Sequence, residues 1–303
     1  MIARILRWGS LGVCSLLLAG APAFACACGC GVFDIGNVFR SAPGGSMFAE
    51  YDFMNQTQNW HGLSRAPAAD NDDKNIRTSF FTFGGQYLLG SGFGVMAELP
   101  VWSRHFETTD NGTPKIVDGT ALGDIRVTAV YSGLSDDLGT GFTLGVKLPT
   151  GDNGGGFDHD TAIGTGSTDL LIGAYRQGTL DTLGSWSYVL QARYQTAFTT
   201  RDGYRPGDEL DAVAAVSYDA GLTGIVDWRP FLQLIGGLRR HDSGIAADPE
   251  NSGYSRVLLA PGIETAFASY VLHAEVNIPV YQNVIGNQLV APVLFKTSIA
   301  YDF

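Results

Sequence analysis

The sequence predicts an all-β protein, a transmembrane antiparallel up-and-down β-barrel of about 12 strands. Three observations predict this fold. Apolar and polar residues alternate over long stretches, which is the period of strands with two unlike faces. Beyond the N-terminal segment, no window has the roughly 18 consecutive apolar residues of a membrane helix. The connections are alternately long and short, as in outer-membrane barrels.

Composition narrows the function classes. The chain has 303 residues, of which 45% are hydrophobic and 16% charged, so it is too apolar for a disordered protein. The formal net charge of −11 argues against a nucleic-acid partner, because phosphate binding needs clustered Lys and Arg.

Residues 1–25 are the first predicted element, a signal peptide. Arg4 and Arg7 precede a short apolar stretch, and Ala23-Phe24-Ala25 has the A-x-A pattern of a cleavage site. The apolar part is too short to stay in a membrane as a helix. We therefore expect secretion, with residue 26 as the first of the mature chain.

Residues 26–45 are predicted to form a cysteine-containing periplasmic segment or a plug. Cys26, Cys28 and Cys30 alternate at its start, and three free thiols are unusual in an oxidising compartment. The alternatives are a structural or disulfide role, capture of a soft metal ion such as Cu(I) or Zn(II), and lipidation of Cys26. A metal ion on these three cysteines is the only cofactor that the sequence suggests.

Residues 46–303 are predicted to be the barrel itself. Each alternating stretch is long enough for a tilted strand that crosses a bilayer. A soluble β-sandwich has the same alternation, but its strands are usually about five or six residues long. The predicted strands are 46–60, 76–90, 92–107, 121–133, 139–150, 166–178, 184–200, 208–220, 226–242, 253–268, 269–282 and 289–303.

Long polar connections at 61–75, 108–120, 151–165, 201–207 and 243–252 are predicted to face outward from the cell. Short ones at 90–92, 135–137, 180–184, 221–224 and 268–269 are predicted to be periplasmic turns. The connection at 283–288 is short where a long one is allowed. The terminal Phe303 is typical of the strand that the barrel assembly machinery recognises, which makes that machinery and outer-membrane lipid the expected macromolecular partners.

Alternation also assigns the two faces of each strand. In 139–150, Phe142 and Leu144 lie on one side and Thr143 and Lys147 on the other, as expected for a lipid face and a polar lumen. The same parity turns sixteen charged residues inward: Glu50, Asp52, Glu98, Asp124, Glu209, Asp211, Glu264 and Glu275, with Arg104, Arg126, Lys147, Arg193, Arg229, Arg239, Arg256 and Lys296. Ten of these are the candidate lumen-lining site: Glu98, Arg104, Asp124, Arg126, Lys147, Arg193, Arg229, Glu264, Glu275 and Lys296.

The two signs balance among these inward charges, which does not favour a strongly ion-selective pore. One interpretation is a network of ion pairs that holds the wall together. The other is a polar ladder that guides a solute, with Arg104, Arg126 and Arg193 as anion contacts.

Enzyme signatures are missing from the sequence, which contains neither G-x-S-x-G nor H-E-x-x-H. His273 and Glu275 share a strand face and could act as an acid-base pair, but an interior hydrogen bond explains them as well. We predict that the protein is not an enzyme and assign no catalytic residue.

Three segments resemble a known family. They are Gly119-Thr120-Ala121-Leu122-Gly123-Asp124-Ile125-Arg126-Val127, Gly145-Val146-Lys147-Leu148-Pro149-Thr150-Gly151-Asp152 and Ile163-Gly164-Thr165-Gly166-Ser167-Thr168-Asp169. They are similar to the successive "GLGD", "LPTGD" and "GTGS" segments of the transporter-like family labelled "MetA-pathway of phenol degradation". The resemblance extends over 46–303, is strongest over 119–178, and leaves out the cysteines.

The resemblance implies a passive outer-membrane transporter associated with phenolic or other apolar compounds, and it carries over no catalytic residue. We therefore expect a passive channel or transporter for small solutes, among them aromatic or apolar ones, in the bacterial outer membrane. The alternative is a closed barrel that anchors a metal or redox system through its N-terminal cysteines.

Overall fold

The computed structural model describes residues 42–110, 112–157, 159–219 and 227–303. The predicted signal peptide, the three cysteines and the turn at 221–224 lie outside the described residues. Within those ranges, no helix is long and apolar enough to cross a bilayer.

The described residues form one antiparallel sheet of fifteen strands and two short 3-10 helices, Ala68–Asn71 and Pro249–Asn251. The strands are β1 (Gly44–Gln56), β2 (Gln58–Gly62), β3 (Ser64–Arg65), β4 (Asn75–Leu88), β5 (Phe93–Asp110), β6 (Thr113–Leu122), β7 (Arg126–Tyr131), β8 (Thr140–Lys147), β9 (Thr168–Thr179), β10 (Trp186–Thr199), β11 (Glu209–Tyr218), β12 (Asp227–Arg239), β13 (Tyr254–Phe267), β14 (Tyr270–Val290) and β15 (Leu294–Asp302).

The sheet closes on itself, because β1 pairs with β4 on one side and with β15 on the other. Twelve strand positions surround the lumen. β6 and β7 share one of them, since both pair with β5, and β2 with β3 extends the wall at the outer end. The predicted 12-strand antiparallel barrel is confirmed.

The predicted assignment of faces also agrees with the structure where β8 can be compared. Phe142 and Leu144 are 48% and 53% exposed on the outside, whereas Thr143 and Lys147 are buried inside. Large apolar side chains cover the outer surface of the other strands in the same way. This surface matches the hydrocarbon of a bilayer, so the apolar residues that would form the core of a soluble sandwich are its exterior.

Aromatic pairs lie at the end of the barrel with the short turns. The tilted rings of Phe93 and Tyr131, of Trp186 and Tyr218, and of Tyr270 and Tyr301 have centroids 4.7, 4.9 and 5.1 Å apart. Amphipathic rings favour the boundary between lipid and water. They therefore place one membrane interface at this end.

Two sequence predictions about connections differ from the structure. The long connection predicted at 108–120 is wrong, because β5 runs on to Asp110 and pairs with β6 as a hairpin. The inner face of this hairpin packs Phe106 and Val117 against Ile76 and Leu289, whereas its outer face carries polar residues such as His105, so the hairpin lacks an apolar outer face. The connection predicted at 283–288 lies within β14, where Gly286 has a φ of +66° and the chain turns back to pair with β2.

Candidate functional site

A cavity of about 160 Å³ lies inside the barrel. An apolar surface forms one part of its wall and carries Phe80, Met96, Pro100 and Trp102 from β4 and β5. The opposite wall, on β10–β12, carries charged and amide side chains. A cavity of about 150 Å³ accommodates a benzene ring. The space is therefore that of a single-ring molecule.

Most of the predicted site residues reach this cavity. Six of the ten line it: Glu98, Asp124, Arg126, Lys147, Arg193 and Lys296. Arg104 is buried above it, and Glu275 is buried in the wall, where it accepts hydrogen bonds from Gln233 and Asn277. Arg229 and Glu264 form a partly exposed ion pair, 3.3 Å apart, near the end with the short turns.

Ion pairs tie most lumen charges to the wall. Lys296 Nζ lies 2.9 Å from Glu50 and 3.3 Å from Asp52, and Arg193 lies 3.0 Å from Asp211. These pairs support the interpretation of a network that holds the wall. They also use up charge that would otherwise face a solute.

Asp124 is the centre of the most connected cluster. Its Oδ1 accepts a hydrogen bond from the Gly151 amide at 2.9 Å, and its Oδ2 accepts bonds from the amide and hydroxyl of Thr165 at 2.9 and 2.8 Å. Lys147 Nζ lies 3.4 Å from Asp124 and 2.8 Å from Asp169. All three segments that carry the family resemblance thus meet at one carboxylate.

The described residues 148–157 and 159–167, between β8 and β9, fold into the barrel. Ile163 of this segment is 3% exposed and belongs to an apolar cluster with Met54, Phe80, Trp102 and Leu294, which extends from β5 through β4 and β1 to β15. The segment therefore crosses the outer part of the lumen, and we call it the crossing loop.

Arg104 fixes the inner turn of the crossing loop. Its Nη1 donates to the carbonyl oxygens of Thr161 and Ala162, the second at 3.2 Å, while its Nε donates to Thr78 at 3.0 Å. The guanidinium also lies 5.3 Å from the Trp102 ring centroid. Arg104 is therefore a support for the loop rather than a free anion contact.

Gly151 and Gly164 make the closest backbone approach in the crossing loop. A Cβ on Gly164 would lie 2.6 Å from the Gly151 Cα and 2.5 Å from its carbonyl oxygen. Only two glycines permit this approach. It brings the "LPTGD" and "GTGS" segments together beneath Asp124.

A second loop, between β10 and β11, contacts the crossing loop at the same end of the barrel. Tyr204 is 4% exposed and lines the cavity, and its hydroxyl donates to Asp242 at 2.8 Å. Asp242 also accepts from the Gly207 amide at 2.8 Å and pairs with Arg239 at 2.6 Å. His159 of the crossing loop stacks on Tyr204, with centroids 5.8 Å apart. Sequence reasoning missed these loop residues because strand periodicity does not extend into loops.

His105, at the outer end of β5, is expected to make the stability of the barrel depend on pH. It lies above the apolar band, where its Nε2 is 2.9 Å from Glu107 and its Nδ1 is 2.6 Å from Asp118. The hydrogen bond to Glu107, followed by that to Asp118, raises the pKa of His105 above its usual 6.5. We expect NMR of the detergent-folded barrel to give a titration midpoint above 6.5, and Glu107→Gln to lower it more than Asp118→Asn.

The sign for stability follows from the same shift. When the pKa is higher in the folded state, protonated His105 stabilises the protein. This stabilisation is complete at a pH below the pKa of the unfolded state and is lost as the pH rises through the pKa of the folded state. The urea midpoint should therefore fall over that window in the wild type but not in His105→Gln. A midpoint for His105 below 6.5 would contradict the assignment.

Comparison with known proteins gives a family and a fold. The sequence model of the family described as "Putative MetA-pathway of phenol degradation" matches residues 71–269. The barrel is similar to an outer membrane channel from Pseudomonas putida F1, with a TM-score of 0.66, 12% identity, and coverage of 88% of this chain and 98% of that one. It is also similar to the beta domain of the Bordetella autotransporter BrkA, with a TM-score of 0.51, 16% identity, and coverage of 86% and 100%. No curated protein matches the chain.

Proposed function

Since the chain belongs to the family of the MetA-pathway of phenol degradation, we propose that it is a passive channel for small solutes, including aromatic or other apolar compounds. The observation that carries this proposal is the cavity inside the barrel, with an apolar wall and the volume of a single ring. Inward side chains leave this space open, although the crossing loop narrows it from outside.

The proposal places the barrel in the bacterial outer membrane. Its support is the exterior, which is apolar between the aromatic end and the polar hairpin of β5 and β6. Phe303 fits recognition by the barrel assembly machinery, because its ring is 58% exposed and its backbone pairs with Gly45 at 2.9 Å. The proposal assigns no catalytic residue.

The alternative of a closed anchor for a metal or redox system has no support from the comparisons. Its cysteines, Cys26, Cys28 and Cys30, lie outside the described residues, so a soft metal ion there stays a prediction. Metal analysis of the protein extracted from outer membranes would test it, because stoichiometric metal would favour this alternative.

Planar-bilayer recording of the refolded protein tests the channel. We expect reproducible open steps in potassium chloride and, on addition of phenol, short interruptions of the current as the solute enters the lumen. Heat-modifiable gel mobility is the control for a folded barrel. A folded barrel without open steps would contradict the proposal.

A further inference from the structure

Arg126 differs from the other basic residues of the cavity. Among the described residues that line it, Lys147, Arg193, Arg239 and Lys296 each lie within 4 Å of a carboxylate. Arg126 makes no ion pair within the described part of the chain, and its Nε is buried without a hydrogen-bond partner. The guanidinium of Arg126 is thus a cation at the cavity wall that no described carboxylate pairs with.

The neighbours of Arg126 do not neutralise it. Glu98 is its cross-strand partner on β5 and Lys147 its partner on β8, but no ion pair joins Arg126 to Glu98. A buried donor without an acceptor costs free energy of about 1–3 kcal/mol, and more when it is charged. A ligand carboxylate that reaches the end of the Arg126 side chain at the cavity wall would give this guanidinium the charge partner that it lacks.

The shape of the group selects the acceptor. A guanidinium presents a planar fork of donors that matches the two oxygens of a carboxylate. A neutral hydroxyl can satisfy only part of this fork and gains no charge attraction. The fork therefore favours a carboxylate over an alcohol or a phenol.

The surface beside Arg126 selects the rest of the ligand. Met96, Pro100 and Trp102 share the inward face of β5 with Glu98, because side chains two residues apart point the same way. Phe80 meets Trp102 edge to face, with ring centroids 4.7 Å apart. The cavity volume of about 160 Å³ leaves room for one ring against this surface.

We propose that the lumen site takes small aromatic monocarboxylates, with the carboxylate on the Arg126 fork and the ring against Met96 and Trp102. The inference rests on the proposed channel function and narrows its solutes to a charged class. Glu98 opposes binding of this anion and sets an upper limit on its residence, as passage through a channel requires.

Current block tests the proposal. Benzoate, benzyl alcohol and benzylamine share one ring and differ in charge, and each is added at neutral pH to the wild-type channel in a planar bilayer. We expect benzoate to interrupt the current at the lowest concentration. Arg126→Gln should raise its half-blocking concentration about tenfold, while the value for benzyl alcohol changes less than about twofold. Arg126→Lys, which keeps the charge without the fork, should give an intermediate value.

Two further variants sharpen the result. Glu98→Gln should lower the half-blocking concentration of benzoate, because it removes the negative charge of the cross-strand neighbour of Arg126. Arg229→Gln removes one positive charge at the rim, outside the cavity, and should leave the half-blocking concentration of benzoate unchanged. Equal block by benzylamine and benzoate, or an unchanged benzoate value in Arg126→Gln, would overturn the proposal while leaving the channel function in place.

Calorimetry distinguishes failure of the channel function from failure of the carboxylate site. If the folded wild-type barrel gives no open steps, the proposed function fails, but benzoate can still be titrated into the detergent-folded protein. Heat of binding in the wild type, absent in Arg126→Gln, would support the site on its own. No binding in the wild type would remove it.

Discussion

Replacing Asp124 with alanine is expected to raise the single-channel conductance severalfold. Asp124 is 7% exposed, and its carboxylate accepts three hydrogen bonds from Gly151 and Thr165, at either end of the crossing loop. Without it, these donors lose their acceptor inside the barrel. They can form hydrogen bonds to water if the crossing loop moves out of the lumen. The outer part of the lumen then opens.

The same change should lower the free energy of unfolding by about 2–4 kcal/mol, because it removes a buried carboxylate from a satisfied network. Lys147 keeps Asp169 as its partner at 2.8 Å, which limits the loss. Planar-bilayer conductance and urea unfolding in detergent measure the two effects.

Asp152→Ala is the matched control for this experiment. Asp152 lies in the same loop, but its side chain is exposed and accepts only a local bond from the Gly154 amide at 3.0 Å. We expect its conductance to equal that of the wild type. An unchanged conductance in Asp124→Ala would mean that the crossing loop does not narrow the pore.

Gly164→Ala is expected to open the channel by a different route. The added methyl group would lie 2.6 Å from the Gly151 Cα, and backbone cannot rotate away as a side chain can. The backbone segments around Gly151 and Gly164 must separate. This should cost about 1–3 kcal/mol of stability and raise the conductance. Protease added from the outer side should also cleave the released loop faster.

The control is Gly154→Ala in the same loop. There the nearest atom to the added methyl group is Asp152 Oδ1 at 3.6 Å, which is an ordinary contact. This variant should conduct and resist protease like the wild type. If both alanine variants behave alike, the close approach of Gly151 and Gly164 is not what holds the loop.

The barrel could be predicted from the sequence because membrane-spanning strands must alternate apolar, lipid-facing residues with lumen-facing ones. Phe142 and Lys147 must face lipid and lumen, so the alternation of β8 carries its geometry directly. The hairpin of β5 and β6 has no such alternation, since outside the membrane its outer face does not have to be apolar.

The candidate site was predictable only where it belongs to strands. Lys147 and Lys296 follow from parity, whereas His159 and Tyr204 reach the cavity from loops whose path depends on tertiary contacts. The motif residues were predictable only through the family resemblance. Their joint role at Asp124 became visible only when segments distant in sequence were brought together.

The closure between β1 and β15 has a consequence for how the barrel forms. Ser46 pairs with Asp302, so the contact that seals the wall joins residues separated by almost the whole described chain. Such non-local pairing slows folding, because the entropy of closing the loop is lost before the contact is gained. Until β15 docks, β1 exposes an unpaired edge to other chains, an aggregation hazard. A chaperone that shields this edge would therefore speed assembly without altering the final barrel.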